Sequence, residues 1–196
     1  MARYLVCITG ASGSIYGLRL LSALAASGAE LHLVASEWGK KVLLEESGRP
    51  LEAWLSDLGS GRVRVYEPGE LGAAPASGSF RLDATLVVPA SMATVASLAA
   101  GTVSNLMHRA GSVALKEGWP LLLAPRETPL SLIDLRNLER LAEAGAIIMP
   151  AAPPFYNKPR NIEELADGFV GKILDRIGAP NPEGRPWDGL QQRSKA

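Results

Sequence analysis

A short glycine-bearing turn follows the first apolar run of the chain and precedes a helical pattern. Gly10, Ala11, Ser12 and Gly13 lie between the run RYLVCIT and a segment whose apolar residues recur every three positions. A strand, a turn of small residues and a helix, in this order, present backbone N–H groups and the positive end of a helix to an anion. The turn therefore predicts an anion site, with a phosphate as the first candidate.

A charged pair follows another apolar run, PLLLAP at residues 120–125. This pair is Arg126 and Glu127. If the run is a parallel strand, the pair lies at its carboxyl end, where open α/β sheets bind ligands. An arginine can hold an anion and a glutamate can carry a proton. The pair is a candidate for catalysis, with a structural ion pair as the alternative.

Two further cations, Arg109 and Lys116, are seven residues apart. On a helix this spacing is about two turns, so that both side chains share a face. The spacing alone favours ordinary charges on a solvated helix.

Apolar runs of strand length alternate with helical segments along the chain. Strands are predicted at 3–9, 29–35, 62–67, 83–90, 120–125 and 145–151. Candidate helix N-caps are Ser36, Ser91, Ser104 or Asn105, and Asn161. This order predicts a single-domain α/β fold, a Rossmann-like parallel sheet with helices on both faces. We assign residues 1–180 to the domain and 181–196 to a C-terminal tail.

Four loops of this fold lie at the carboxyl ends of strands. They span residues 10–13, 36–37, 89–94 and 125–127 and carry Gly, Ser, Thr or Arg. Their agreement in position and composition predicts one ligand site along this edge.

Composition excludes several classes of partner. The 196 residues contain 20 Lys plus Arg and 20 Asp plus Glu, so no overall field attracts nucleic acid or an anionic membrane. No segment approaches the roughly 18 continuous apolar residues of a membrane span. The single cysteine, Cys7, cannot form a disulfide within the chain. We expect a soluble cytoplasmic protein that binds neither nucleic acid nor membrane.

The TGASGSIYG segment is similar to the cofactor turn of short-chain dehydrogenases. That family also needs a tyrosine with a lysine four residues later. The four tyrosines are instead followed at that spacing by Ile8, Leu20, Glu70 and Arg160. The sequence therefore argues against a nicotinamide dehydrogenase.

Four segments together resemble the flavin prenyltransferases of the UbiX type. They are TGASGSIYGLRLL, PASGSF, the long segment PASMATVASLAAGTVSNLMHRAGSVALKEGWPLLLAPRETP and GAIIMPAAPPFYNKP. The resemblance covers nearly the whole chain and implies the flavodoxin-like three-layer sandwich of HFCD flavoproteins.

The resemblance also implies a reaction. A dimethylallyl group from dimethylallyl phosphate is joined to N5 and C6 of reduced FMN. The product, prenylated FMN, serves as cofactor of UbiD-type decarboxylases. Such enzymes usually form dodecamers with sites between subunits and need no metal.

Site residues follow from the matched motifs. FMN binding is implied for Gly10, Ala11, Ser12, Ser36, Ser91, Met92, Ala93, Thr94 and Arg126. Catalytic roles are implied for Ser12, Glu46, Lys116 and Glu127. Contacts to the prenyl phosphate are implied for Arg109, Lys116, Tyr156 and Lys172, and Trp187 matches an aromatic that closes over the site.

Three positions depart from the patterns of these flavoproteins. Leu71 stands where family members often have a tryptophan near the prenyl group. Lys172 stands where they often have arginine, so the charge is kept but the planar bidentate grip is lost. Ala93 occupies a place where related flavin decarboxylases favour asparagine.

Two other functions compete with the transferase. One is an FMN-dependent cysteine decarboxylase of the same superfamily, often with a catalytic histidine and a cysteine-bearing flap. The other is a flavin carrier without catalysis. The pairs Lys116–Glu117 and Arg126–Glu127 argue against a carrier, because binding FMN alone does not require them all. The sequence leaves open whether the donor is the monophosphate or the pyrophosphate, which decarboxylase receives the product, and the number of subunits.

Overall fold

A computed structural model of the chain describes residues 1–59, 61–182 and 184. The strands are β1 (Arg3–Ile8), β2 (Glu30–Ala35), β3 (Val63–Tyr66), β4 (Ala84–Ala90), β5 (Leu121–Pro125) and β6 (Ile147–Ile148). The α-helices are α1 (Ser14–Ala26), α2 (Glu37–Ser47), α3 (Leu51–Asp57), α4 (Met92–Ala99), α5 (Leu106–Glu117), α6 (Leu132–Glu143) and α7 (Ile162–Ile177). A 3-10 turn spans Ala74–Ala76.

All the strands pair in parallel, in the order β3-β2-β1-β4-β5-β6. Without the short edge strand β3, the order is that of flavodoxin-like sheets. The chain winds outward in opposite directions from β1 and β4, so the loops after these two strands diverge and leave a crevice. The predicted parallel α/β fold is confirmed.

Two apolar layers cover the sheet. One is formed with α1, α2, α3 and α7, the other with α4, α5 and α6. Strand β1 contributes Tyr4, Val6 and Ile8 to the first layer and Leu5 and Cys7 to the second. Because β1 and β4 are buried on both faces, they read as continuous apolar runs rather than as alternating ones.

Most helix ends agree with the sequence prediction. Ser36, Ser91, Asn105 and Asn161 each accept a hydrogen bond from a backbone N–H of the helix that follows. The last predicted strand is wrong in length, since β6 has two residues rather than seven. Three prolines follow it closely (Pro150, Pro153 and Pro154), and they cannot donate to a strand ladder.

Among the described residues, no helix combines the length and apolar character that crossing a membrane requires.

Candidate functional site

Backbone hydrogen bonds join the carboxyl ends of neighbouring strands. They run from Ser36 N to Ile8 O (2.9 Å), from Arg126 N to Ala90 O (3.2 Å) and from Ala151 N to Pro125 O (3.0 Å). These bonds hold the loops that follow β1, β2, β4, β5 and β6 along one edge of the sheet. The loops predicted to bind the ligand are therefore neighbours.

Thr9 joins the two loops that border the crevice, although sequence reasoning did not select it. Its hydroxyl donates to Pro89 O at 2.8 Å and accepts from Ser91 N at 2.7 Å. The residue is 1% exposed. A polar residue at the end of a buried apolar strand was the available signal. Thr9 fixes where α4 begins relative to β1.

Helix α1 already has an anion at its N-terminus, the carboxylate of Glu46. This carboxylate accepts from Gly13 N at 2.9 and 3.1 Å, from Ser14 N at 2.9 Å and from the Ser14 hydroxyl at 2.6 Å. The sequence predicted an external anion at this turn. The structure corrects that prediction, because a glutamate from the end of α2 takes the amides of Gly13 and Ser14.

The electrostatics of Glu46 follow from these contacts. Partial burial raises the pKa of its carboxyl. Hydrogen bonds from the Ser12 and Ser14 hydroxyls and from the backbone of Gly13 and Ser14 together lower this pKa by more than burial raises it. The pKa therefore lies below the usual range for glutamate. At neutral pH Glu46 is ionised, and it can orient the Ser12 hydroxyl as a hydrogen-bond acceptor.

Helix α4, on the other side of the crevice, has an open N-terminus. The Ser91 hydroxyl caps Thr94 N at 3.4 Å and lies 3.2 Å from the Thr94 hydroxyl. Within the described part of the chain, the amides of Met92 and Ala93 have no hydrogen-bond partner. These amides and the two hydroxyls can receive an anion.

Close packing between β1 and α2 requires two glycines. A Cβ on Gly39 would lie 2.6 Å from Ile8 O, and a Cβ on Gly10 would lie 2.6 Å from Trp38 Cβ. Ser36 begins α2 by accepting from Gly39 N at 2.9 Å. The cap uses a lone pair of the hydroxyl, so its hydrogen remains available to a ligand.

Arg126 and Glu127 are exposed at the carboxyl end of β5, as predicted. Glu127 accepts from Thr128 N at 3.0 Å. Burial raises the pKa of the Tyr16 phenol, and the nearby charge of Arg126 offsets part of that rise. Tyr16, which packs edge-on against Phe169 at 5.1 Å, is a second neighbour of the site that sequence reasoning missed.

Arg109 and Lys116 share one face of α5, and both contact the loop at 74–79. Arg109 Nε donates to Ala76 O at 3.0 Å. Lys116 forms an ion pair with Glu117, and a Cβ on Gly78 would lie 3.4 Å from Lys116 Nζ. The matched segments PASGSF and ALKE are therefore in contact.

One chain does not bring Lys116 next to Arg126. Lys116 lies in the last turn of α5, shortly before β5 begins, whereas Arg126 follows the end of β5. The length of the strand, about 16 Å, separates these two ends. Within one chain, Lys116 and Arg126 therefore lie at opposite ends of β5.

The remaining predicted residues lie near α7. Tyr156 is 45% exposed in the loop after β6, and Lys172 is exposed on α7. The two segments touch, because a Cβ on Gly168 would lie 3.1 Å from Pro154 Cγ. Trp187 lies outside the described residues.

Comparisons with known proteins identify related chains. The family model described as Flavoprotein matches residues 1–174. The chain is 46% identical over 190 residues to flavin prenyltransferase LpdB of Lactiplantibacillus plantarum, covering 96% of this chain and 100% of that protein.

Two crystal structures are also similar. One is AnUbiX (PadA1) in complex with FMN and dimethylallyl pyrophosphate, with a TM-score of 0.92, 37% identity and coverage of 97% of this chain and 99% of that one. The other is a dodecameric FMN-dependent UbiX-like decarboxylase of Escherichia coli O157:H7, with a TM-score of 0.89, 37% identity and coverage of 95% and 100%.

Proposed function

The chain belongs to the Flavoprotein family, and on that premise we propose that it is a flavin prenyltransferase. It transfers the dimethylallyl group of dimethylallyl phosphate to N5 and C6 of reduced FMN. The observation that carries the proposal is one edge of the sheet, where an open helix N-terminus and serine and threonine hydroxyls lie beside an exposed arginine–glutamate pair.

The two helix N-termini at the crevice decide how FMN is held. Glu46 makes the N-terminus of α1 unfavourable for a second anion, because like charges repel. The phosphate of FMN therefore binds at α4, to the amides of Met92 and Ala93 and the hydroxyls of Ser91 and Thr94. The turn at 10–12 has only small residues and leaves room for the flavin ring to approach the backbone.

Cationic side chains bind the second substrate. When the prenyl carbon bonds flavin N5, its bond to the phosphate oxygen breaks and the phosphate leaves with the electron pair. Cationic groups at that oxygen stabilise the developing charge, a role that we assign to Lys116, Arg109 and Lys172, with Tyr156 donating a hydrogen bond. Glu127 carries the proton that leaves or joins during ring closure at C6.

A homo-oligomer completes the site. The separation of Lys116 from Arg126 within one chain supports this proposal, and so does an apolar surface at the start of α6. That surface consists of Leu130, Leu132, Ile133 and Leu135, which are 37–71% exposed. Exposed apolar side chains that lie close together are typical of protein interfaces. The dodecameric relative makes twelve subunits the number to test.

The activity is tested anaerobically with purified protein, reduced FMN and dimethylallyl phosphate, followed by mass analysis of the released flavin. A parallel reaction with the pyrophosphate identifies the preferred donor. A flavin heavier by one five-carbon prenyl unit is the expected result. Bound but unmodified FMN with both donors contradicts the transferase and favours a flavin carrier.

Sharing of the site between subunits has its own test. Lys116→Ala and Glu127→Gln are each expected to be inactive. When the two variants are mixed under conditions that exchange subunits, activity should return, since some sites then receive both wild-type residues. Each variant carried alone through the same exchange is the control. Mixed oligomers that stay inactive contradict the shared site.

The competing cysteine decarboxylase is less well supported. Cys7 is the single cysteine of the chain and is fully buried in β1, and burial raises the pKa of its thiol to about 12. A cysteine in that position cannot serve in a mobile flap. The cytoplasm as location, a UbiD-type decarboxylase as recipient of the product, and the division into a domain at 1–180 and a tail remain predictions.

A further inference from the structure

Trp38 is a large aromatic side chain that is exposed to solvent beside the turn at residues 10–13, which we call the flavin turn. It lies in the first turn of α2 and is 68% exposed. Its Cβ packs against Gly10, where a Cβ would come within 2.6 Å. An indole is costly to expose, because it presents a large apolar surface to water. A ligand that covers it would remove this cost.

The neighbours of Trp38 restrict what that ligand can be. Gly10, which contacts the Trp38 Cβ, and Ser36, the N-cap of the same helix, are both proposed FMN contacts. Lys41 Nζ lies 4.8 Å from the centroid of the indole ring, over one of its faces. Since Trp38 is still 68% exposed with Lys41 in this position, the indole has surface left for a planar group.

A second contact fixes the helix that carries Trp38. In the same turn of α2, Lys40 pairs with Glu67 at 3.0 Å, which ties α2 to the loop after β3. The start of α2 is therefore held both to the turn after β1 and to this loop.

We infer that Trp38 is a flavin-binding residue, whose indole contacts the ring system of FMN while α4 holds the phosphate. The inference rests on the proposed flavin site and adds to it a residue that none of the matched motifs assigns. Contact between aromatic planes is strong and geometrically tolerant, so that one indole can hold the flavin both before and after its ring is modified.

The test is the affinity of FMN for Trp38→Ala and Trp38→Phe, measured by titration of flavin fluorescence. We expect Trp38→Ala to weaken binding by about tenfold, as loss of a stacked aromatic does elsewhere, and Trp38→Phe to recover part of the loss. The thermal stability of both variants without FMN should match that of the unsubstituted protein, because the side chain is largely exposed.

Trp54→Ala is the matched control. Trp54 also has a cation over its ring, Arg49 at 4.8 Å, but it lies on α3 and donates to Ser47 rather than facing the flavin turn. Its replacement should leave FMN affinity unchanged.

Two results overturn the inference. One is an FMN affinity of Trp38→Ala within twofold of the unsubstituted protein. The other is a smaller oligomer, by light scattering, whose assembled fraction binds FMN normally, since Trp38 would then be a subunit contact. If the unsubstituted protein itself fails to bind FMN, the proposed flavin site fails with it.

Discussion

The two parts of the site differ in how completely one chain builds them. On the flavin side, Thr9 and Glu46 join segments that are distant in sequence by hydrogen bonds, and local serine caps begin α2 and α4. On the phosphate side, Lys116, Arg126, Glu127 and Lys172 are all exposed, and the length of a strand lies between the first two.

This difference assigns different tasks to the two parts. We expect the flavin side to be formed within a single chain, because hydrogen bonds already hold its loops together. The proposed chemistry needs charged side chains that a single chain leaves exposed, so we expect another copy of the chain to cover them. Water would otherwise compete for an allylic cation and screen the charges on the phosphate.

Replacing Glu127 should have the largest effect, and it should separate turnover from FMN affinity. Glu127→Gln keeps the shape but cannot carry a proton, so turnover should fall at least about hundredfold while FMN affinity is unchanged. Product mass and flavin titration measure the two quantities. Glu139→Gln, on the exposed side of α6, should change neither. Equal loss of turnover and FMN affinity would show that the two parts are not separable.

Gly17→Ala should instead lower the stability of the fold on the flavin side, where α1 packs against β4. A Cβ at this position would lie 2.5 Å from Val88 O, where α1 crosses β4. We expect the free energy of unfolding in urea to fall by about 1–3 kcal/mol. Gly72→Ala, with open space around the added carbon, is the control. A Gly17→Ala protein as stable as the control would mean that α1 can shift without cost.

Glu46→Gln should have a smaller effect that depends on pH. The amide loses the charge at the N-terminus of α1, which should lower the free energy of unfolding by about 1 kcal/mol at pH 7. Because the folded-state pKa of Glu46 is lowered, its contribution is present above the ordinary pKa of about 4.3 and is lost as the pH falls through the folded pKa.

The measurement for Glu46 is the melting temperature from pH 7 to pH 3, with Glu45→Gln as the control. The difference between Glu46→Gln and the unsubstituted protein should shrink at acid pH. Glu45→Gln, at an exposed position of the same helix, should melt close to the unsubstituted protein. A difference that stays constant down to pH 3 would contradict the assigned role of the charge.

Lys172→Arg should have the smallest effect, a tighter interaction with the prenyl phosphate. A guanidinium offers the bidentate contact that an ammonium lacks, so KM for dimethylallyl phosphate should fall by about threefold, with kcat unchanged. Steady-state kinetics measure both parameters. Arg176→Lys, in the last turn of the same helix, should leave them as they are. An increase in KM would indicate that the pocket is shaped for lysine.

The sequence predicted those features that depend on neighbours within a few residues. The caps of α2, α4, α5 and α7 were recognisable because an N-cap side chain bonds an amide only two or three positions ahead. The alternation of strands and helices likewise predicted the parallel sheet. Local spacing therefore sufficed for the fold.

Contacts between distant segments could not be predicted in this way. Glu46 and Gly13 are 33 residues apart, and nothing near either residue indicates that the end of α2 meets the start of α1. The contact between Trp38 and Gly10 is equally hidden, since it depends on how closely α2 approaches β1. In both cases the contact depends on tertiary packing, which local spacing in the sequence does not show.

The burial of Cys7 makes the chain its own reporter of opening on one side of the sheet. The thiol belongs to the apolar layer formed with α4, α5 and α6, and it can meet a thiol reagent only when this layer opens. Because the chain has one cysteine, the rate of labelling under native conditions reports how often this layer opens. Comparing that rate with and without FMN would show whether the flavin stabilises this layer as well as the carboxyl edge of the sheet.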